Sequence, residues 1–410
     1  MILRSRLIVT MDGTPLVDGA LWIVGNRIEA IGTFSELEGR TSEPVLDLGD
    51  QVLLPGLINA HCHLDYSMMR NAISPPTSFT AWVQRINAIK RSLDSEEYLA
   101  AIARGFAELK RWGTTTVCNI EAFPELMPSL PPDPIRTWWF YEMIDIRHRI
   151  TTDDVVAGAL TFFKRQPQSL GGFGLNPHAP YTASQQLYHL ANGCADRTEM
   201  LLTTHVAESC EELAMFMHAR GPLFDFMTQL KRPMADCGET TPFQMLWKSG
   251  AIDANWILAH MNELTEEDFE LLATLPALAP DGGPHIVYCP GSHRYFGHSE
   301  FPFRRLHDMG MNICVGTDSL ASTDSLSLLR ELRRVRQSQP WLNAESLLAT
   351  VTRNSARALK RIGQLGQIIP GALADLIALP TSGTLENVYD EIVNYERPIA
   401  WMMINGEILS

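Results

Sequence analysis

Short runs of hydrophobic residues recur along the middle of the chain, and longer stretches with helical spacing separate them. The runs are rich in β-branched and aromatic residues, which is typical of buried strands. They cover residues 52–63, 114–123, 136–145, 170–180, 199–209, 255–264, 284–293 and 311–322. The intervening stretches 95–113 and 265–275 repeat apolar residues at helical intervals. Thr265, with Asp268 three residues later, has the spacing of a helix capping box.

This alternation of eight strands with helices predicts an α/β protein of the (β/α)8 class, a TIM barrel. Parallel strands need crossover connections, and helices of this length supply them. A doubly wound open sheet is the alternative. Such a sheet is expected to carry a glycine-rich phosphate turn after its first strand, and the sequence has none there.

The two ends of the chain have a different pattern from the middle. Residues 1–51 contain short β-like segments with Asp-Gly and Gly-Asn turns, and residues 371–380 and 398–409 return to this pattern. We expect the two ends to form one small β-sandwich beside the barrel. The predicted boundaries are 1–53 with 365–410 for the sandwich and 54–364 for the barrel.

Composition excludes several functional classes. The 410 residues carry a net charge of −14, so we expect no nucleic-acid partner. No apolar stretch reaches about 18 residues, which argues against a membrane span, and the start lacks the features of a secretory signal. Seven scattered cysteines without a C-x-x-C pair predict reduced thiols and a cytoplasmic location.

Histidines and carboxylates follow the predicted strands at their carboxyl ends, where barrel enzymes build their active sites. His61 and His63 close the first strand two residues apart, so both point to the same side. The later strands end on His178, His205 with Glu208, His260, His293 and Asp318. One histidine at a strand end is more often structural than metal-binding. Six of the eight strands carry such residues, and the joint pattern favours a metal site.

Five segments, in this order, resemble the signature segments of the amidohydrolase superfamily. They are PGLINAHCHLDYS, THVAES, LAHMNEL, VGTDSLAS and GALADLIALP. Within the superfamily, the chain is most similar to the mononuclear aminohydrolases. These are the deaminases of cytosine, guanine, adenosine derivatives and aminodeoxyfutalosine, together with the triazine hydrolases. The resemblance covers essentially the whole chain and implies a small heterocyclic substrate.

The resemblance also implies a metal centre. Binuclear members bridge two metals with a carboxylated lysine, usually on the fourth strand, and residues 170–180 contain no lysine. We therefore expect one divalent metal, held by His61, His63, His205 and Asp318. Three imidazoles and one carboxylate suit zinc, and Fe(II) fits the same ligand types.

Three residues are expected to carry the chemistry of a hydrolytic deamination. A divalent metal lowers the pKa of a bound water toward neutrality, and Asp318 would accept the proton of that water. Glu208, three residues past His205, would lie beside the metal and protonate a ring nitrogen of the substrate. His260 would hydrogen-bond the attacking hydroxide. Ser319 is expected either to orient the Asp318 carboxylate or to act as a helix N-cap.

Three further residues are expected to contact the substrate. His178, in HAPYT, matches the histidine that contacts substrate in the adenosine-type deaminases. Trp82 lies in the amphipathic segment 78–93, which is either a lid or an ordinary barrel-covering helix. His293 stands where many relatives carry asparagine. The glutamate with which adenosine-type enzymes hold ribose has no equivalent near Gln84.

The sequence therefore predicts a hydrolytic deaminase of an amino-substituted nitrogen heterocycle, active as a homo-oligomer, a dimer. A first alternative is a hydrolase that expels chloride or an amine from a triazine-like ring, or opens a cyclic amide, at the same site. A second is a catalytically silent scaffold. The presence of every expected ligand and of Glu208 argues against the scaffold.

Overall fold

The structure is a computed structural model that describes residues 1–146, 151–166, 170–198, 200–274 and 283–409. The predicted segments 199–209 and 265–275 each extend by one residue outside these ranges. Most of the strands belong to two sheets, and helices cover the larger of them. All seven cysteines are free thiols. Within the described ranges, no helix is both long and apolar enough to cross a membrane.

The strands and helices alternate through the middle of the chain. The strands are β1 (Ile2–Ile8), β2 (Leu16–Val24), β3 (Arg27–Thr33), β4 (Val45–Asp47), β5 (Gln51–Pro55), β6 (Leu57–His63), β7 (Thr114–Glu121), β8 (Arg136–Met143), β9 (Gly172–Pro177), β10 (Leu201–Val206), β11 (Trp256–His260), β12 (His285–Tyr288), β13 (Asn312–Val315), β14 (Asp318–Ser319), β15 (Leu376–Pro380), β16 (Trp401–Ile404) and β17 (Glu407–Leu409). The helices are α1 (Phe34–Leu37), α2 (Phe79–Lys90), α3 (Ser95–Arg111), α4 (Thr152–Phe163), α5 (Gln185–Thr198), α6 (Cys210–His218), α7 (Pro222–Gln229), α8 (Pro242–Lys248), α9 (Glu266–Thr274), α10 (Pro290–Phe296), α11 (Phe303–Asp308), α12 (Leu328–Ser338), α13 (Ala344–Ala349), α14 (Arg353–Ala358) and α15 (Val388–Asn394). Two 3-10 helices cover Leu64–Met69 and Pro124–Ser129.

The larger sheet has nine strands in the order β13-β12-β11-β10-β9-β8-β7-β6-β14, and neighbouring strands pair in parallel. From β6 to β13 this order is simply the order of the chain. A doubly wound sheet would reverse direction at a switch point, so that alternative does not fit. The sheet curls, because β14 follows β13 in the chain and yet pairs with β6 at the opposite edge. A parallel α/β architecture is confirmed.

The first apolar run contains two strands in two different sheets. β5 pairs with β1 and β15, whereas β6 begins the larger sheet. Pro55 has no N–H to continue a ladder. A Cβ on Gly56 would lie 2.2 Å from the Thr115 side chain, so only glycine fits where the chain crosses over. The prediction of one strand over 52–63 was therefore wrong.

The smaller sheet contains both ends of the chain. Its order is β17-β16-β15-β5-β1-β2-β3, with β4 paired to β1. Arg136 at the start of β8 connects the two sheets, since its Nε donates to Asp375 Oδ2 at 2.8 Å just before β15. Both side chains are buried. The division into domains with the boundaries given above stays a prediction.

The inner face of the larger sheet holds an apolar cluster below its carboxyl end. Trp138 and Phe140 on β8 pack with Cys118 and Ile120 on β7 inside the curl. The outer face packs against the helices in a separate cluster. Because side chains alternate along a strand, Glu142 shares the inner face of β8 with Trp138 and Phe140. Polar side chains on the inner face therefore gather above this apolar core.

The helix predicted after Thr265 begins as expected. Thr265 N donates to Asp268 Oδ2 at 2.8 Å, and Asp268 N donates back to Thr265 Oγ1 at 3.4 Å. These two bonds satisfy backbone N–H groups that the first turn of α9 leaves unpaired. The predicted capping box is confirmed.

One buried histidine, at the amino end of β12 and away from the carboxyl ends of the strands, predicts a pH dependence of stability. Burial lowers the pKa of His285 to about 4, against about 6.5 in an unfolded chain. Below about pH 6.5 the unfolded chain therefore binds a proton that the folded chain does not, and the free energy of unfolding falls by about 1.4 kcal/mol per pH unit. Between pH 7 and 5 the wild type should lose about 2 kcal/mol more than His285→Asn.

Urea unfolding at the two pH values measures this difference. Asparagine keeps an acceptor for Asn312 Nδ2, which lies 3.0 Å from His285 Nδ1. The matched control is His307→Asn, because His307 is exposed on α11. Equal losses in the wild type and His285→Asn would show that His285 accepts its proton in the folded state.

Candidate active site

A bulge at the end of β6 directs two histidines into the curl of the larger sheet. The register between β6 and β7 shifts between Asn59 and Cys62. Ala60 packs inside the sheet, whereas Cys62 packs in the outer core. His61 and His63, on either side of Cys62, therefore face inward together. Bulges next to active sites commonly re-aim side chains in this way.

Four predicted ligand residues converge at this place. His63 Nε2 lies 3.2 Å from His205 Nε2, at the end of β10. Asp318 Oδ1 lies 3.8 Å from His61 Nε2 and 3.7 Å from His63 Nε2. Each of the four residues is at most 7% exposed. Ring nitrogens of His61, His205 and His260 also lie within 4.8 Å of one another.

The donor atoms of this cluster fit a divalent cation. His61 Nε2, the atom that faces Asp318, is buried and has no hydrogen-bond partner within the described ranges. His205 Nδ1 donates to the carbonyl oxygen of His178 at 2.6 Å, which leaves its Nε2 free to bind a metal. Burial lowers the pKa of His61 and of His63. Both imidazoles are thus held in the neutral form that metal binding requires.

A close contact between two strands places Asp318 in the cluster. Asn59 Nδ2 donates to Thr317 Oγ1 at 2.7 Å, and Thr317 N donates to Asn59 Oδ1 at 3.2 Å. A Cβ on Gly316 would lie 2.8 Å from the His61 Cβ, so glycine is needed there. Asp318 has a left-handed backbone with φ 57°. Strained backbone of this kind concentrates at functional sites.

The hydroxyl that orients Asp318 is that of Ser322. Ser322 Oγ lies 3.0 Å from Asp318 Oδ2 and donates to it. Ser319, which we expected to contact the carboxylate or to cap a helix, has its Oγ 3.4 Å from Ser322 Oγ. The left-handed turn at Asp318 brings residue 322 over the carboxylate. The Ser319 hydroxyl therefore reaches the carboxylate only through Ser322, whereas the Ser319 backbone N–H donates to the carboxylate directly.

Glu208 and His260 lie side by side at the edge of the cluster. Glu208 Oε1 lies 3.7 Å from His260 Nε2. Two neighbours fix the Glu208 backbone: its N–H donates to Glu212 Oε2 at 2.7 Å, and its carbonyl accepts from Asn262 Nδ2 at 2.9 Å. Burial raises the pKa of the Glu208 carboxyl, and the charges of Asp318 and Glu212 raise it further. A protonated carboxyl is the form that can donate a proton to a substrate.

His178 borders the cluster on the β9 side. Its ring centroid lies 4.9 Å from that of His205. His178 Nδ1 lies 2.6 Å from Thr182 Oγ1, and its Nε2 lies 4.0 Å from Glu142 Oε1. The Nε2 side of the ring therefore faces the open space above the carboxyl ends of the strands, which we call the mouth of the sheet. A substrate would enter there.

The segment that contains Trp82 forms a helix across this mouth. Glu211, three residues past Glu208, caps α2 by accepting from Phe79 N at 3.0 Å and from Thr80 N at 2.9 Å. The Trp82 ring packs edge-on against Phe296 of α10 at 5.0 Å. Helix α2 thus contacts the segments after β10 and after β12 at once, and the choice between a lid and a barrel-covering helix stays a prediction. A substrate contact by Trp82 stays a prediction.

His293 is held by its own loop. Its Nε2 lies 2.7 Å from the carbonyl oxygen of Ser299. Its ring packs against Tyr288 at 5.4 Å and His298 at 5.7 Å. These contacts tie α10 to the following segment, and the expected role of His293 in substrate binding stays a prediction.

Sequence reasoning missed three carboxylates and one serine that the structure places here. Ser322 and Glu212 stand four residues after Asp318 and Glu208, a spacing that brings side chains together on a helical turn. Glu142 is the one charged residue between Thr137 and Met143 in an otherwise apolar strand, and that anomaly was visible in the sequence. Nothing in the sequence signals that Glu211 caps a helix 132 residues earlier.

Three comparisons with known proteins bear on this geometry. The sequence profile of the amidohydrolase family matches residues 52–409. The 5-methylthioadenosine/S-adenosylhomocysteine deaminase of Pyrococcus furiosus is 27% identical over 395 residues, covering 92% of this chain and 85% of that protein. The aminodeoxyfutalosine deaminase of Deinococcus radiodurans is 27% identical over 370 residues, covering 87% and 85%.

The fold also matches solved structures. An adenosine deaminase from Xanthomonas campestris with bound zinc superimposes with a TM-score of 0.84 over 99% of this chain and 92% of its own. The two sequences are 22% identical. At that level of identity, the match supports the fold alone.

Proposed function

The chain belongs to the amidohydrolase family, and from this premise we propose that it deaminates an amino-substituted nitrogen heterocycle by hydrolysis, with a nucleoside-like molecule as substrate. It is a hydrolase of carbon–nitrogen bonds other than peptide bonds. Both relatives described above are named as deaminases of adenosine-type compounds. A divalent metal is part of the proposal, since four buried donor residues converge and His61 Nε2 among them has no hydrogen-bond partner in the described ranges.

The observation that carries the proposal is the place of Glu208. Its carboxyl is buried beside the metal-binding cluster and 3.7 Å from His260, and burial keeps its pKa raised. Deamination of a heterocycle needs a proton on the ring nitrogen next to the carbon that is attacked. A carboxyl that stays protonated toward neutral pH, next to the nucleophile, provides that proton.

Each residue of the site has a separate role in this reaction. His61, His63, His205 and Asp318 would hold the cation, which when bound activates a water molecule for attack. Asp318, oriented by Ser322, takes a proton from the attacking water. Glu208 gives a proton to the ring nitrogen, and His260 donates a hydrogen bond to the developing oxyanion. His178 faces the mouth and contacts the ring. The amino group then takes up the proton held by Asp318 and leaves as ammonia, while the added hydroxyl returns a proton to Glu208 as the carbonyl product forms.

The finer assignments from the sequence belong to the same proposal. We propose that β13 and β14 together form the eighth strand of a (β/α)8 barrel, and that residues 1–53 with 365–410 are its sandwich domain. We further propose one divalent metal ion per chain, zinc with Fe(II) as the alternative, and a dimer. Hydrolysis of a triazine-like ring at the same site has less support, because both relatives are named deaminases.

An ammonia-release screen tests the proposal. Zinc-loaded protein is incubated with adenosine, 5-methylthioadenosine, guanine, cytosine and a pterin, and free ammonia is measured over time. We expect release from an adenosine derivative, with His189→Ala, an exposed histidine of α5, as a fully active control. Chloride or alkylamine release from a triazine with no ammonia from any of the five compounds would refute a deaminase.

A further inference from the structure

The mouth of the larger sheet holds a carboxylate that the proposed mechanism does not use. Glu142, one residue before the end of β8, points inward above Trp138 and Phe140. Its side chain is only 8% exposed. The nearest described basic group is His178 Nε2, which at 4.0 Å is too far for a hydrogen bond. Within the described ranges, the Glu142 carboxylate has no hydrogen-bond donor.

Within the described ranges, Glu142 also has no positively charged side chain in direct contact with its carboxylate. Burial raises the pKa of its carboxyl, but the charges of His178, Lys90 and His205 lower it by more, so the group is ionised at neutral pH. The ammonium of Lys90 hydrogen-bonds the hydroxyl of Tyr66 instead. The described part of the chain places no cation within 4.0 Å of Glu142 other than His178.

Two more buried carboxyls make this side of the mouth acidic. Asp65 follows β6 and Glu121 ends β7, and both side chains are fully buried. Both carboxylate oxygens of Asp65 are buried without a hydrogen-bond partner in the described ranges. Three carboxyls therefore face one ammonium, that of Lys90, above the first three strands of the larger sheet.

We propose that Glu142 binds a positively charged substituent of the substrate, an ammonium or guanidinium group carried beyond the ring that reacts. Burial of a carboxylate without a partner is costly, and a cation with N–H donors satisfies both its charge and its hydrogen bonds. Glu142 neighbours His178, which borders the metal-binding cluster, so ring and substituent bind side by side. This inference rests on the proposed function and narrows its substrate class.

The test compares three adenosine analogues that differ only at the 5′ position. They are 5′-amino-5′-deoxyadenosine, 5′-deoxyadenosine and adenosine 5′-monophosphate. In the wild type, kcat/KM for the amino compound should exceed that for 5′-deoxyadenosine by about tenfold or more, because charge-assisted hydrogen bonds are about twice as strong as neutral ones. The phosphate should be the poorest substrate. In Glu142→Gln, the ratio of amino to deoxy compound should fall by about the same tenfold.

Controls separate this role from a structural one. Glu125→Gln removes an exposed carboxylate of the following 3-10 helix and should leave the ratio unchanged. In Lys90→Gln the ratio should rise, since the competing ammonium is gone. A wild-type ratio near one, or a ratio that Glu142→Gln leaves unchanged while all rates fall together, would overturn the subsite and leave the proposed deamination standing.

A binding measurement decides the case in which none of the three analogues releases ammonia, which would refute the adenosine-type function itself. Thermal unfolding is then followed in n-butylammonium chloride and in sodium butyrate at equal ionic strength. Stabilisation by butylammonium in the wild type and its loss in Glu142→Gln would support the cation subsite. Equal behaviour of the two proteins would overturn it.

Discussion

Replacement of His61 or of Asp318 by alanine should remove the bound metal and the activity together. Each residue supplies a donor to the cluster that His63 and His205 complete. Loss of one ligand from four leaves a site that no longer holds the cation firmly, and with it the means of activating water. The activation free energy of the reaction then rises by several kcal/mol, so turnover should fall by at least about 10⁴-fold.

Elemental analysis of the purified proteins checks this result. The wild type should hold about one zinc or iron per chain, since the described residues form one cluster of ligands and residues 170–180 offer no bridging lysine. Circular dichroism verifies that the variants are folded. Two tightly bound metals in the wild type, or full metal content in both alanine variants, would contradict the assigned ligands.

Glu208→Gln should lower turnover by about 10²–10⁴-fold while the metal stays bound. Glutamine keeps the size of the side chain and its contact with His260 but cannot give a proton to the ring nitrogen. General acid–base catalysis contributes a factor of about this size. Because the ligand cluster does not include Glu208, metal content should match the wild type, and KM should change little.

Steady-state kinetics and metal analysis of the same preparation measure both quantities. Glu239→Gln, which removes an exposed carboxylate after α7, is the matched control and should behave as wild type. Loss of metal in Glu208→Gln would make Glu208 a ligand. Near-normal turnover would make it a structural carboxylate and remove the main reason for assigning deamination.

The predicted ligand cluster depended on a property that the sequence does display. Residues at the carboxyl ends of parallel strands lie at one edge of a sheet, so His61, His63, His205 and Asp318 were expected to lie close together. The bulge in β6 and the left-handed turn at Asp318, which the sequence does not display, direct these side chains toward one another. The α/β class followed from the same alternation of runs and helices. The spacing of apolar residues along the sequence is sufficient to predict those features that depend only on the direction and order of the strands.

Features that depend on local backbone conformation were not predictable in the same way. Ser319 was expected either to orient the carboxylate or to cap a helix, and the hydroxyl that donates to the carboxylate after the left-handed turn at Asp318 is that of Ser322. The run over 52–63 was expected to be one strand, but the close approach of Thr115 to Gly56 divides it. Both outcomes depend on contacts between segments far apart in the chain, which single-sequence patterns do not contain.

The smaller sheet has a consequence for the order in which the protein folds. β5, at residues 51–55, pairs with β15, at residues 376–380, so the ribosome must add more than three hundred residues before one strand can meet the other. Until then one edge of β5 has unpaired N–H and C=O groups, the kind of edge at which chains associate wrongly. The smaller sheet therefore cannot be completed until its last strands have been synthesised, and its completion is a late event in biosynthesis.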